Sequence, residues 1–523
     1  MAVSLSGMTL YTNNDNEGSW AGTDGADTYN NAEQGTNSES WLVAKNSSET
    51  GTLTLTPGTA PSTTRGLFVF WMSSNLAPYY TDIRLDLQSS TNNFKQFICA
   101  NSTNKAIGGQ FIPSVVDYVN KGTATGTYAP ASHTVTRIIV DNGSSGNIRS
   151  VINNWIDVMY FGPGHTISGT TTTDKLFAEA FAVDDLVANK YGILQNKSGV
   201  IFSQGDLDLA GTALVSDAET LVFVDTLNGY DIYNLDITGS VTLTNSNIYS
   251  SGTISYNLDA STATAFSMTG GTLGGYNSIV AAAGQTMSGI VFQEGGTGSF
   301  ANTVSSSTFN TCGVNSFTGN GAFNTVRLDS CSPVTVTSMT GTGTTNQIQN
   351  CTFVSSGTGY AINLGTIDVS GGDVTLNWNA YASGYGTAQS TNAVVQVNVT
   401  GGGTNKLIIS VGDGYDVPTV NNTGTGGAGD VSVIAGQITL TLTDLPNGTE
   451  VRFRQGTFTL QHTQNVTGNS VAYTYTGTPK VTISAGGIDN SGTAYDRRVL
   501  RDFILPSTSQ SLPFDLTPSS GYI

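Results

Sequence analysis

Charge is scarce in this sequence: 11% of its 523 residues carry it, with 19 Lys and Arg against 37 Asp and Glu and a formal net charge of −18. No basic run occurs anywhere. Phosphate backbones are bound by clustered cations that release counterions, so this composition excludes a nucleic-acid partner. The four cysteines (Cys99, Cys312, Cys331, Cys351) are too few to frame a chain of this length with disulfides, and no CxxC spacing points to structural zinc. The three histidines (His133, His165, His462) fall in separate segments. Without a GxSxG elbow or an HExxH helix, neither a Ser-His-acid site nor a zinc hydrolase is expected. No apolar run approaches ~18 residues, so no membrane insertion is expected. The opening MAVSLSGMTLYTNN lacks the basic and apolar regions of a secretory leader, which leads to an expectation of assembly in a cytoplasm.

Gly, Ser, Thr and Asn fill the space that charge leaves, with abundant Val, Ile, Tyr and Phe and few helix formers. That balance predicts an all-β fold. Residues 1–165 hold four of the five tryptophans and aromatic strands such as LFVFW at Leu67–Trp71. Short strands between Gly/Asn/Ser turns read there as a jelly-roll-like β-sandwich. Trp20 and Trp41 are its candidate glycan-contact aromatics. DKLFAEAFAVDDLVANK, Asp174 to Lys190, is the one segment with helical period and is read as a helical linker or cap across 166–195.

From 196 to about 390 a phrase recurs. Tyr233-Asn234-Leu235-Asp236 returns as Tyr256-Asn257-Leu258-Asp259, and Asn follows at Asn277, Asn302, Asn324 and Asn346, at intervals of 20 to 25 residues. A period of that length without helix formers predicts a right-handed parallel β-helix of about three short strands per coil. The six asparagines are read as an internal amide ladder at a turn. Cys312, Cys331 and Cys351 lie 10, 7 and 5 residues after the Asn of their coils, so they are not expected to superpose and read as small core thiols. Alternating strands after 391 suit an Ig-like β-sandwich to 500, followed by a C-terminal strand and tail over 501–523.

Chemistry has few candidates. Glycoside hydrolysis needs paired carboxylates, and Asp236 with Asp259, one coil apart, is the pair that would serve a polysaccharide depolymerase. Two solvated turn aspartates are the simpler reading, and no catalytic residue is expected. NNDNEGSWAGTDGAD, Asn13 to Asp27, offers Asp15, Glu17, Asp24 and Asp27 as oxygen ligands for a structural Ca2+; no other cofactor is expected.

Three phrases carry a resemblance: NNWIDVMYFGPG (Asn153–Gly164), DLVANKYGI (Asp185–Ile193) and TLTDLPNGTEVRF (Thr441–Phe453). In this order they resemble virion structural proteins of tailed bacteriophages, especially those of marine and cyanobacterial hosts. The resemblance implies a place in the virion as a fibre, a spike or a capsid decoration. It implies other virion proteins as partners, further copies of the chain (a trimer is expected) and, at the host, a surface glycan or receptor. It brings no catalytic residues.

Overall fold

The computed structural model describes residues 3–12, 20–22, 27–29, 38–43, 50–55, 65–74, 82–101, 112–141, 152–170, 176–177, 193–336, 343–401, 403–424, 430–436, 438–455, 459–475, 479–506 and 509–519. The fold is all-β, with long parallel sheets of the β-helix kind and antiparallel, sandwich-like sheets near both termini of the chain. Two compact units divide it, Met1–Asn302 and Thr303–Ile523.

In the first unit, two antiparallel sheets form the sandwich. One runs Ile112–Asp117, Leu67–Ser74, Ile152–Gly162, Ser38–Val43, Asp27–Tyr29, with Thr9–Thr12 on the long Ile152–Gly162 strand. The other runs Thr123–Thr125, Asn93–Asn101, Asp82–Ser90, Val135–Asp141, Thr50–Leu55, Trp20–Gly22. Period-two alternation sends Phe68 and Phe70 inward from one sheet, and Ile83, Leu85, Leu87 and Ile138 from the other, into one core with Phe97, Val116 and Met159. Each such side chain contributes about 1.5–3 kcal/mol by leaving water, so this core holds the two sheets together.

After Gly162 the chain enters the coils at once. Gly164–Gly169 pairs in parallel with Asp206–Leu209, so residues 166–195, expected as a helical linker, begin inside a strand. Of Asp174–Lys190, only Leu176 and Phe177 are among the described residues. Both are helical and buried, and Phe177 shares an apolar hollow with Leu209, Leu221, Leu235 and Leu243.

A full coil of the first unit has three strands, such as Ile232–Ile237, Ser240–Thr244 and Asn247–Ser250, and the next coil repeats them. Tyr233 stands opposite Tyr256, Leu235 opposite Leu258, Val241 opposite Phe266, and Ile248 opposite Leu273. The interior is therefore columns of like with like. The corner between the second and third strands turns through the left-handed region, at Ala218 and Asn245 (φ 55° and 50°) and at the pair Gly270-Gly271 (φ 71° and 83°). The N–H groups of Ala218, Asn245 and Gly270 donate to Thr244, Thr269 and Ser288 of the following coil. Asn and Gly enter that region at little cost, so they suit the corners.

An open parallel edge would template foreign strands, and both sheets begin with an antiparallel strand instead. Val3–Ser6 covers Gly164–Gly169, and Leu194–Lys197 folds back on Val200–Ser203 through Ser198 and Gly199. Those two residues have φ of 55° and 82°, the positive pair a type I′ hairpin requires.

The second unit carries further coils, with Asn315–Phe317, Ala322–Asn324 and Arg327–Asp329 as one of them. The coils then widen: Asn398 bonds back to Thr366, 32 residues earlier, at 3.1 Å. Val395–Thr400 and Leu407–Val411, assigned by sequence to the sandwich from 391, pair in parallel with Ile362–Asp368 and Val374–Ser383. The parallel stack thus extends to Val431–Ile434. Alternating VQVNV and LIISV patterns suit a coil wall and a sandwich equally, and pairing direction leaves no mark on them.

The C-terminal sandwich begins at Ile438. One sheet holds Val471–Tyr475, Ile438–Thr443 and Gln510–Pro513, the other Thr459–Asn465, Glu450–Gln455, Lys480–Ile488 and Ala494–Ile504. Leu440, Phe453, Tyr473 and Ile483 meet between them. Within 501–523, Gln510–Pro513 is a strand that completes a sheet, and Phe514 is wholly buried in this core.

Candidate functional site

Three successive coils of the parallel sheet share a pattern on their outward face. Asp206-Leu207-Asp208, Asn234-Leu235-Asp236 and Asn257-Leu258-Asp259 lie rung over rung, with the leucines inward. Two outward columns result, two residues apart. One runs Asp206, Asn234, Asn257; the other runs Asp208, Asp236, Asp259 and is bounded by Thr166 and Val280.

The first column is hydrogen-bonded from coil to coil. Asn234 N–H donates to Asp206 Oδ1 (2.8 Å), and Asn257 Nδ2 donates to Asn234 Oδ1 (3.1 Å). Asn277 Nδ2 and Ser278 Oγ both donate to Asn257 Oδ1, each at 2.8 Å. At its foot, Asp206 receives the Arg65 guanidinium through two bonds, 2.6 and 2.8 Å, and Arg65 also stacks on Tyr230, 3.9 Å from the ring centre. Burial raises the Asp206 carboxyl above its ordinary value against the pull of Arg65 and the Asn234 N–H. Burial also opposes the Arg65 charge, but the bond and charge of Asp206 outweigh it and raise the Arg65 pKa. Lys121 with Asp231 and Asn228 Nδ2 with Ile98 O tie the sandwich to the same coils.

The second column holds three carboxylates at coil spacing, about 4.8 Å. Asp208 accepts from Thr238 Oγ1 at 2.7 Å, and Asp259 from the Ser261 N–H at 2.8 Å. Asp236 stands between them. Burial, then the charges of Asp206, Asp259 and Asp208, push its carboxyl up to about 6. Such a group exchanges its proton near neutral pH, which is general-acid chemistry. The sequence pair Asp236 and Asp259 are indeed neighbours, but on one flat face, whereas glycosidases set carboxyls on either side of the scissile bond.

Sequence reasoning passed over Asp206, Asp208 and Arg65. The signal for the first two is present in DLD, where Asp takes the place that Asn holds in the two NLD phrases. The amide ladder itself needs correction. Asn234, Asn257 and Asn277 form it on the outer face of strands, neither inside nor at a turn, because the inward positions are taken by Tyr and Leu. Asn302 is buried beyond a strand end and bonds to Gln285 O at 3.3 Å. Asn324 ends a strand of the other sheet, exposed and opposite Gln349, and Asn346 lies in Gly343–Val354 where the register shifts. The 22-residue interval joined positions on different walls because coil lengths vary.

Among the calcium candidates, Asp15, Glu17 and Asp24 lie outside the described residues, and the Asp27 backbone sits in a strand opposite Ser40. The backbones of Trp20 and Trp41 pair with Leu55 and Asn154, in different sheets of the sandwich. Arg327 and Asp329 form an exposed ion pair at 2.8 Å. Among the described residues, no three His, Cys, Asp or Glu side chains gather as metal ligands would, and no helix is long and apolar enough to cross a membrane.

No protein-family model and no curated protein matches this chain. Solved structures with some likeness include an exo-β-agarase (9% identity over 30% of this chain and 25% of that one, TM-score 0.24). A second agarase, AgWH50C, gives 6% identity over 32% of this chain and 25% of its own, TM-score 0.22. The galactotriose complex of TmCBM61 gives 14% over 29% of this chain and 97% of its own, TM-score 0.20. The chain spans about a quarter of the length of the two agarases. Likeness at this level carries no substrate or activity from those proteins to this one.

Proposed function

We propose that the chain is a structural component of a tailed-bacteriophage particle, a fibre or spike that projects from it and contributes to host attachment, working with further copies of itself. One observation carries the reading: coil repeats upon coil with a like-on-like apolar interior and an outward face of short polar side chains. Stacked coils of this kind make a stiff spacer rather than a reaction vessel. The antiparallel sandwiches that precede and follow the coils in sequence supply the faces for docking and recognition. The three sequence phrases described above supply the link to virion proteins.

Asp236 favours a second reading, cleavage of a host surface polysaccharide, because a carboxyl held near 6 has the proton a general acid needs. The flat placement of Asp236 and Asp259 on adjacent rungs weighs against it.

The test is location. Antibodies to the chain, applied to purified particles, are expected to label projections of the tail. Label spread over the head would make the chain a capsid decoration, and unlabelled particles would overturn the virion reading. Incubation with host surface polysaccharide is expected to leave chain length unchanged. Shortened chains, lost with Asp236→Asn, would put the depolymerase first.

A further inference from the structure

Two cysteines occupy the same corner of successive coils in the second unit. Strands Thr308–Asn310 and Arg327–Asp329 run parallel with Asn310 opposite Asp329. Each leads into one left-handed residue, Thr311 (φ 53°) and Ser330 (φ 55°), and then into Cys312 and Cys331. The backbone ladder continues through the corner: Thr311 N–H donates to Asp329 O and Ser332 N–H to Cys312 O, both at 2.9 Å. The thiols turn the same way, each lying 3.4 Å from the carbonyl two residues before it, Asn310 O and Asp329 O. Between them, Cys312 N–H reaches Cys331 Sγ at 3.4 Å.

In-register neighbours across a parallel sheet have backbones about 4.8 Å apart, inside the ~4.4–6.8 Å Cα separation that a disulfide spans. Counting from the recurrent asparagines had set the two cysteines out of phase; the corner residues put them in phase. The other two thiols do not share the site. Cys351 follows the left-handed Asn350 and rests 3.3 Å from Gln349 O, in a strand whose Gln349 faces Asn324. Cys99 belongs to the sandwich of the first unit.

We propose that Cys312 and Cys331 are a disulfide-forming pair that staples two successive coils when the protein meets a disulfide oxidant such as oxidised glutathione. Cys331, the more exposed of the two, reacts first. Its thiolate attacks one glutathione sulfur, forms a mixed disulfide and expels glutathione thiolate. The Cys312 thiol then loses its proton, attacks Cys331 Sγ and expels the second glutathione. Two protein thiols are oxidised by two electrons, and one glutathione disulfide is reduced to two thiols. Contact with the Cys312 thiol, and then burial, push the Cys331 thiol pKa up. Thiolate is therefore scarce at neutral pH and exchange is slow, which suits a cross-link made once rather than cycled.

The full chain, folded and without denaturant, would be incubated with oxidised glutathione at mildly alkaline pH, then alkylated, digested and mapped by mass spectrometry. The expected product is one peptide pair joined through Cys312 and Cys331, lighter by two hydrogens and separated again by dithiothreitol. Cys99 and Cys351 are expected to remain alkylatable once the chain is unfolded. Cys331→Ser and Cys312→Ser should each abolish the link, whereas Cys351→Ser should preserve it. The oxidised protein should melt at a higher temperature than the reduced one. A glutathione adduct that persists on Cys331, a link through Cys351, or links only between chains would overturn the proposal, and the unmodified protein reports each of these even if a variant fails to fold.

Discussion

Two columns climb the same three coils side by side, and above the first coil they differ in the group at the tip of the side chain, amide in one and carboxylate in the other. An amide carries both a donor and an acceptor, so Asn257 accepts from the coil above and donates to the coil below. A stack of amides satisfies itself however many rungs it has. A carboxylate only accepts, so Asp208 and Asp259 draw donors from Thr238 and Ser261, while Asp236 is left to burial and the repulsion of its neighbours. A parallel stack multiplies whatever it repeats. Leu235 over Leu258, both buried, gains from the repetition, and Asp236 over Asp259 loses by it.

The sharpest way to break the contrast lies at the foot of the amide column, where Asp206 replaces an amide and depends on Arg65. Arg65→Met should leave a buried carboxylate without its cation and cost about 3 kcal/mol of stability in the first unit. Chemical denaturation of the full chain checks this. The same loss in an Asp206→Asn background would show that the ion pair is not its cause. A smaller effect is expected within the column. Asn257→Leu removes the acceptor of Asn277 and Ser278 and the donor to Asn234, at a cost of about 1–2 kcal/mol. Asn277→Leu, at the exposed upper rung, should cost less. Equal losses from the two would mean that packing, not the amide chain, sets the stability of this face.

Part of this contrast is legible in the sequence. Tyr-Asn-Leu-Asp occurs twice, and a strand with a buried and an open face accepts such a phrase in one register only, so rung over rung follows. The foot of the column is not legible in the same way. Asp206 stands where Asn is expected, 28 residues before Asn234, and Arg65 reaches it from 141 residues away. Long-range partners of that kind leave no local pattern. Extending the phrase to Asn302, Asn324 and Asn346 fails for a related reason: a coil has three walls of unequal length, and a repeat counted by interval can change walls without notice. The same effect hid the alignment of Cys312 with Cys331, since both were counted from asparagines on different walls. It also hid the end of the coils, because Leu407–Val411 alternates as a sandwich strand would.

The acidic column predicts the smallest effect, and pH gives it a sign. Burial and three neighbouring carboxylates hold Asp236 at about 6 in the folded chain, against an ordinary value of 3.8. Between those two values the folded chain binds the proton and the unfolded chain releases it, so stability falls as pH rises through the window. Above pH 6 the repulsion is fully present, and below the ordinary value it is gone. A shift of this size would correspond to about 3 kcal/mol for a group shielded from water. Asp236 is partly exposed to solvent, and that screening reduces the expected penalty to about 1 kcal/mol. Asp236→Asn should therefore stabilise the protein by about 1 kcal/mol at pH 8 and by almost nothing at pH 4. The substitution also lets an amide donate to Asp208 or Asp259, which turns the middle rung of the second column into a rung of the first. Denaturation midpoints of the two proteins measured across pH 4 to 8 should diverge as pH rises. Parallel curves would mean that the three aspartates stand far enough into solvent to ignore one another, and that the two columns differ in name only.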